Sequence, residues 1–192
     1  MMKRLLFAVA LFLVVSAASA SNVEKIQFAN QGDFSLGVTI GIPSNSRIAV
    51  MPTYSIDGMW GLKEGFAKTK TFGENGAIDL GLYANLTLYY HGVSCEKDPY
   101  WSIPIAVRSG FHWEFVKKLD VYAGLQGGVT ISKTWYGIDV DSDVYTDGIL
   151  GMYAGVKWMF TKVFGVKVEY SVDWMGEMNN MPPFAGGVTF NF

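Results

Sequence analysis

Residues 101–115 run Trp-Ser-Ile-Pro-Ile-Ala-Val-Arg-Ser-Gly-Phe-His-Trp-Glu-Phe, and their polarity alternates with a period of two. Trp101, Ile103, Ile105, Val107, Phe111, Trp113 and Phe115 fall on one face; Ser102, Pro104, Ala106, Arg108, Gly110, His112 and Glu114 fall on the other. Successive side chains of a β-strand point to opposite sides, so this stretch predicts a strand with one apolar and one polar face. A second stretch repeats the scheme, with Ile78, Leu80, Leu82, Ala84, Leu86 and Leu88 against Asp79, Gly81, Tyr83, Asn85, Thr87 and Tyr89. Further segments at 33–42, 47–57, 121–136, 148–160, 165–175 and 183–192 follow it, for example Val166, Val168, Tyr170, Val172 and Trp174 opposite Lys167, Glu169, Ser171 and Asp173. The pattern therefore predicts an all-β protein of eight strands.

The connections give the topology. Residues 116–120 and 161–165 read as tight turns, whereas 91–99 and 137–147 read as longer polar loops, with smaller ones at 43–46 and 176–182. Short connections alternating with longer ones predict an antiparallel up-and-down transmembrane barrel, short turns on the periplasmic side. Counting strands back from residue 192 places Lys117, Lys118, Thr161 and Lys162 there. Residues 58–75 depart from this scheme, forming a long connection where a short turn belongs. Pro104 lies mid-strand, where it removes a ladder hydrogen bond, so a bulge is expected there.

Two features decide which face points outward. An eight-stranded interior is just wide enough for side chains to fill, and Trp, Phe, Leu and Ile would overfill it. The polar face instead carries Gly37, Gly41, Gly81, Gly110, Gly124, Gly128, Gly151, Gly155 and Gly187, which suit a narrow interior. Within the six best-defined strands the apolar face is free of charge in its central stretch, where one Lys or Arg would cost about 2–4 kcal/mol in lipid. Aromatic residues gather toward strand ends: Phe111, Trp113, Phe115, Trp158, Phe160, Phe190 and Phe192 at the short-turn side, Tyr90, Trp101, Trp135, Tyr136 and Trp174 at the other. Such clustering is expected of two interfacial girdles.

The first 20 residues are a targeting segment. Lys3 and Arg4 precede an apolar run at 5–15 too short to cross a bilayer as a helix, and Ala18-Ser19-Ala20 is a small-residue cleavage pattern. Cleavage after Ala20 leaves residues 21–192 as one barrel domain with 13 basic and 17 acidic residues, since Lys3 and Arg4 depart from the 15 basic residues of the whole chain. That balance offers no basic patch for nucleic acid. Cys95 is alone, so no internal disulfide is possible.

Residues 183–192, Pro-Phe-Ala-Gly-Gly-Val-Thr-Phe-Asn-Phe, resemble the last strand of outer-membrane barrels, with apolar residues at 184, 188, 190 and 192. The whole of 21–192 resembles the small eight-stranded OmpA/OmpX-type barrels, and the stretch 110–124 is similar to the outer-membrane β-barrel proteins of Bacteroidetes. The resemblance implies a location in the cell outer membrane among lipid and lipopolysaccharide. It also implies recognition of the last strand by the barrel-assembly machinery, with Phe190 and Phe192 as the recognised residues. It does not fix function, because one fold hosts structural proteins, adhesins and enzymes.

Three candidate chemistries follow. Arg47, Asp57, Asp79, Arg108, His112, Glu114, Lys157, Lys167, Glu169 and Asp173 all project inward on this register. Charges of both signs in a narrow interior must pair, which predicts a plug of ion pairs; the other reading is a narrow pore. Barrels of this kind include lipid A acyl-modifying enzymes that use His with Ser and an acidic residue. His91 lies near Ser94 and Glu96, and His112 shares a face with Glu114, but neither spacing matches a triad order. The acidic run Asp139, Asp141, Asp143 begins like a calcium loop but has Val144 and Leu150 where Gly and Glu are required. Met175, Met178 and Met181 read as rim packing. The sequence thus points to a non-enzymatic barrel with a structural, envelope-integrity or surface-interaction role, needing no cofactor or metal, its oligomeric state open. A lipid-modifying enzyme and a narrow pore are the alternatives.

Overall fold

Each alternating segment can bury its polar face only by curling the sheet until that face is enclosed. The computed structural model describes residues 32–42, 52–66, 76–89, 100–116, 118–133, 144–174 and 181–192. Within them lie β1 (Phe34–Ile42), β2 (Thr53–Phe66), β3 (Gly76–Tyr89), β4 (Tyr100–Val116), β5 (Leu119–Lys133), β6 (Val144–Met159), β7 (Phe164–Asp173) and β8 (Phe184–Asn191). Every strand pairs antiparallel with the next, and β1 pairs with β8 from Ser35↔Asn191 to Ile42↔Phe184. The result is a closed eight-stranded barrel. Closure leaves no sheet edge to aggregate. Past the last strand, Phe192 N–H donates to Phe34 O at 2.8 Å and Phe34 N–H to Phe192 O at 3.2 Å, extending the seam by one residue.

The polarity of this barrel is inverted relative to a soluble one. Among the described residues, Asp57, Asp79, Arg108, His112, Glu114, Asp120, Lys157, Lys167 and Glu169 are all buried. Ile56, Trp60, Leu82, Val107, Leu125, Val168 and Phe192 are all at least half exposed. No Asp, Glu, Lys or Arg stands on an outward position of β1, β3, β4, β7 or β8. Ser109, the polar residue on the outward face of β4, donates its hydroxyl to Asp79 O at 2.9 Å. Water would penalise so much exposed apolar surface, and lipid would not.

Ten residues separate the strands at each connection of one end (43–52, 90–99, 134–143 and 174–183). At the other end the separations are nine, two and four residues (67–75, 117–118 and 160–163).

Four sequence expectations change here. β2 does not stop at residue 57 but runs to Phe66, so the connection expected at 58–75 shrinks to 67–75. Trp60 and Leu62 continue the outward row, and the apparent break at Gly61–Glu64 is absorbed by register shifts between Gly61 and Lys63 and between Glu64 and Phe66. Pro104 produces no bulge. Its pairing with Thr130 on β5 is in register, and the β3–β4 ladder passes from Ala84↔Ile105 to Thr87↔Ser102 without a shift. The missing N–H of Pro104 faces β3, so the ladder omits two pairings instead of inserting a residue. The turn expected at 116–120 closes over 117–118 alone, which makes Asp120 part of β5. β6 starts at Val144, inside the predicted loop.

Candidate functional site

The polar lumen gathers the chemistry of the described chain. β4 supplies its axis, with Arg108, His112 and Glu114 at alternate positions; all three are buried. Arg108 reaches across the barrel and donates from Nη1 to Glu169 Oε1 at 2.7 Å. Its guanidinium lies 3.5 Å from the ring centroid of Tyr83 and 4.6 Å from that of Tyr153. A desolvated guanidinium between two rings gains about 2 kcal/mol or more from their quadrupoles. Tyr122 Oη and Ser171 Oγ donate to the same carboxylate at 3.2 and 3.4 Å. Lys167 is hydrogen-bonded to Asp57, again across the barrel.

The second cluster lies nearer the short-turn end. His112 Nδ1 is 2.7 Å from Asp120 Oδ2, and Nε2 is 2.6 Å from Asp79 Oδ2. With both carboxylates ionised, both ring nitrogens must donate, which requires the imidazolium form. Asp79 also accepts from Gly110 N–H at 2.8 Å, and Lys157 Nζ stands 3.8 Å from Asp120. The His112 ring stacks on Tyr122 with centroids 5.2 Å apart. Glu114 accepts from Lys118 N–H at 3.2 Å, tying the β4–β5 turn to the lumen.

Glycines make these contacts possible. Tyr122 and Glu169 both pair with Gly155, one from each side, so the tyrosine can lie flat across β6 to reach the carboxylate. A Cβ on Gly155 would stand 2.5 Å from Tyr122 Oη. Tyr153 lies back over Gly124 and Gly110 in the same way, 2.8 and 2.7 Å from where their Cβ atoms would be. Gly155→Val is therefore expected to cost about 1–3 kcal/mol by overpacking. Gly155→Ala should cost less, and the urea midpoint of the refolded barrel measures both.

Little space remains between these side chains. A cavity of about 20 Å³ lies among Asp57, Asp79, Arg108, Tyr153, Lys167 and Glu169. That is room for about one water. Toward the long-connection end, Met181 folds in from the chain before β8 and packs with Tyr83, Ala106 and Ile149. Gln126 Nε2 donates to its sulfur at 3.0 Å. Beside it, a Cβ on Gly41 would meet Pro182 at 2.4 Å.

Of the ten residues expected inside, Asp57, Asp79, Arg108, His112, Glu114, Lys157, Lys167 and Glu169 are brought together in the lumen, and Asp173 is half-buried where β7 pairs with Gly151. Arg47 lies outside the described residues, as do His91, Ser94, Cys95, Glu96, Asp139, Asp141, Asp143, Met175, Met178 and the targeting segment. Phe190 stands on the outward face of β8, and Phe192, one residue past it, is exposed. Asp120 was missed because it was assigned to a turn. Its signal was the common parity of Asp120, Tyr122 and Gly124. Among the described residues no group of three or more His, Cys, Asp or Glu side chains has the geometry of a metal site.

No protein-family model and no curated protein matches the chain. Among solved structures, the attachment invasion locus protein Ail of Yersinia pestis superposes with a TM-score of 0.53 at 12% identity, covering 84% of this chain and 99% of that one; this Ail is in complex with the heparin analogue sucrose octasulfate. A second structure of Ail gives a TM-score of 0.50 at 13% identity over 84% and 99% of the two chains. Neisserial surface protein A gives 0.46 at 11% identity over 83% and 92%. The likeness is one of fold: a small eight-stranded outer-membrane barrel.

Proposed function

We propose that this protein is an integral outer-membrane barrel with a structural, envelope-integrity or surface-interaction role, its lumen closed and its action non-enzymatic. The observation that carries this reading is the waist of the lumen, where Arg108 is held between Tyr83 and Tyr153 and bonded to Glu169. Closure is supported by this ion pair spanning the lumen and by the small spaces described beside it, of about 20 and about 10 Å³. The exposed apolar belt supports placement in a membrane, and the long connections would face outward, the short ones the periplasm. Planar-bilayer recording tests closure: the refolded protein is expected to give no stable unit conductance, and regular openings would overturn the plug.

His112 favours no acyl-transfer chemistry. Both its nitrogens are engaged by carboxylates, and no nucleophilic hydroxyl is bonded to it among the described residues. If His91→Ala and Ser94→Ala altered the lipid A acyl pattern, the enzymatic reading would replace this one. The sulfated ligand of Ail is not carried over to this chain: the connection 134–143 carries Asp139, Asp141 and Asp143 and no basic residue, while 43–52 and 90–99 supply Arg47 and Lys97. Phe190 and Phe192 serve assembly in this reading. Deleting Phe192 is expected to lower the fraction of heat-modifiable, membrane-inserted barrel in cells, while normal insertion would count against that role.

A further inference from the structure

Among the described residues the outward face has a dent, a groove of about 500 Å³ lined mainly by Phe111, Trp113, Ala123, Ala154, Tyr170 and Phe184. Its cause is local. Ala123 pairs with Ala154, setting two small side chains side by side in a row that continues to Phe111 on one side and to Tyr170 and Phe184 on the other. The groove crosses five strands, four spacings of about 4.8 Å, hence roughly 19 Å. With strands tilted by about 40°, it climbs roughly 12 Å, close to the depth of one leaflet.

The lower end of the groove, at Trp113 and Val121, lies just above the two tight turns of the short-connection end. These turns touch: Met159 N–H donates to Lys118 O at 2.8 Å, and Lys118 Nζ donates to Phe160 O at 3.2 Å. Lys118 and Lys162 are both exposed there. Residues 116–119 and 160–164 contain no acid, and the acids nearest to 116–119 in sequence, Glu114 and Asp120, point into the lumen. Lys118 also holds a left-handed backbone with φ 76°, a conformation that glycine or asparagine adopts at less cost.

We propose that this groove seats one acyl chain of an anionic phospholipid from the periplasmic leaflet, with the lipid phosphate paired to Lys118 and Lys162. The inference rests on the membrane placement given above. An open apolar depression of leaflet depth, on the side of the barrel whose two tight turns carry exposed ammonium groups, matches the two parts of such a lipid.

The test is native mass spectrometry of the full barrel released from nanodiscs of equal phosphatidylglycerol and phosphatidylcholine with identical chains. Wild type is expected to retain one phosphatidylglycerol in preference to phosphatidylcholine. Lys118→Gln with Lys162→Gln should reduce that preference about thirtyfold, at about 1 kcal/mol per lysine near an anionic surface. Ala123→Phe with Ala154→Phe should abolish retention of both lipids. Equal retention of the two lipids by wild type, or retention unchanged in the filled groove, would overturn the proposal. So would a dimer cross-linked through Ala123→Cys. Heat-modifiable mobility separates the two levels: a wild-type chain that fails to insert defeats the membrane placement, whereas an inserted barrel without bound phosphatidylglycerol defeats only the lipid site.

Discussion

Arg108→Met is expected to destabilise the barrel by about 3–5 kcal/mol, the usual cost of removing one partner of a buried ion pair. The loss comes mainly from what remains. Glu169 would keep Tyr122 and Ser171 as donors at 3.2 and 3.4 Å but lose its charged partner at 2.7 Å. Tyr83 and Tyr153 would lose the cation between them. The double variant Arg108→Met with Glu169→Met removes both charges and should recover most of the deficit, since apolar replacements of a buried pair are often neutral or better. Urea unfolding in lipid vesicles, followed by heat-modifiable mobility, measures both. A single variant as stable as the parent would show that the waist is not held by this pair. The same single variant is the one expected to give unit conductance in planar bilayers if closure depends on the guanidinium.

His112→Leu is expected to have an effect of similar size for a related reason. It leaves Asp79 and Asp120 in the lumen without the ring that sits 2.6 and 2.7 Å from them. Gly110 N–H still serves Asp79, and Lys157 still faces Asp120, but at 3.8 Å. A loss of about 3–5 kcal/mol follows from two under-compensated buried charges. Adding Asp79→Asn and Asp120→Asn should restore most of it, because neutral amides need no counter-charge. If the triple variant were no more stable than the single one, ring packing on Tyr122 would be the main contribution of His112.

Both predictions concern contacts that lie far apart along the chain. Arg108 and Glu169 are 61 residues apart, and Lys167 and Asp57 are 110 apart. Inward projection was legible, since parity along a strand is a local property and a buried charge needs a partner. Partnership was not legible, because it depends on how far each strand is staggered against the next. Asp120 shows the sensitivity: reading the β4–β5 turn as five residues instead of two removed it from the lumen altogether. The extension of β2 to Phe66 was masked differently. Gly61, Lys63 and Glu64 break a strict alternation, and only pairing with β3 reveals that register shifts carry the strand onward.

The sequence by itself determined that this chain is an eight-stranded antiparallel barrel with its apolar face outside. Period-two alternation is imposed by backbone geometry, and side-chain volume decides which face a narrow interior can hold. Only the tertiary structure decided which lumenal charges meet, that Gly155 and Gly124 open rows for Tyr122 and Tyr153, and that Ala123 and Ala154 align into a groove. Those outcomes follow from the closed register of strands distant in sequence. A long-range register is a cooperative property of the whole sheet, and no window of residues contains it.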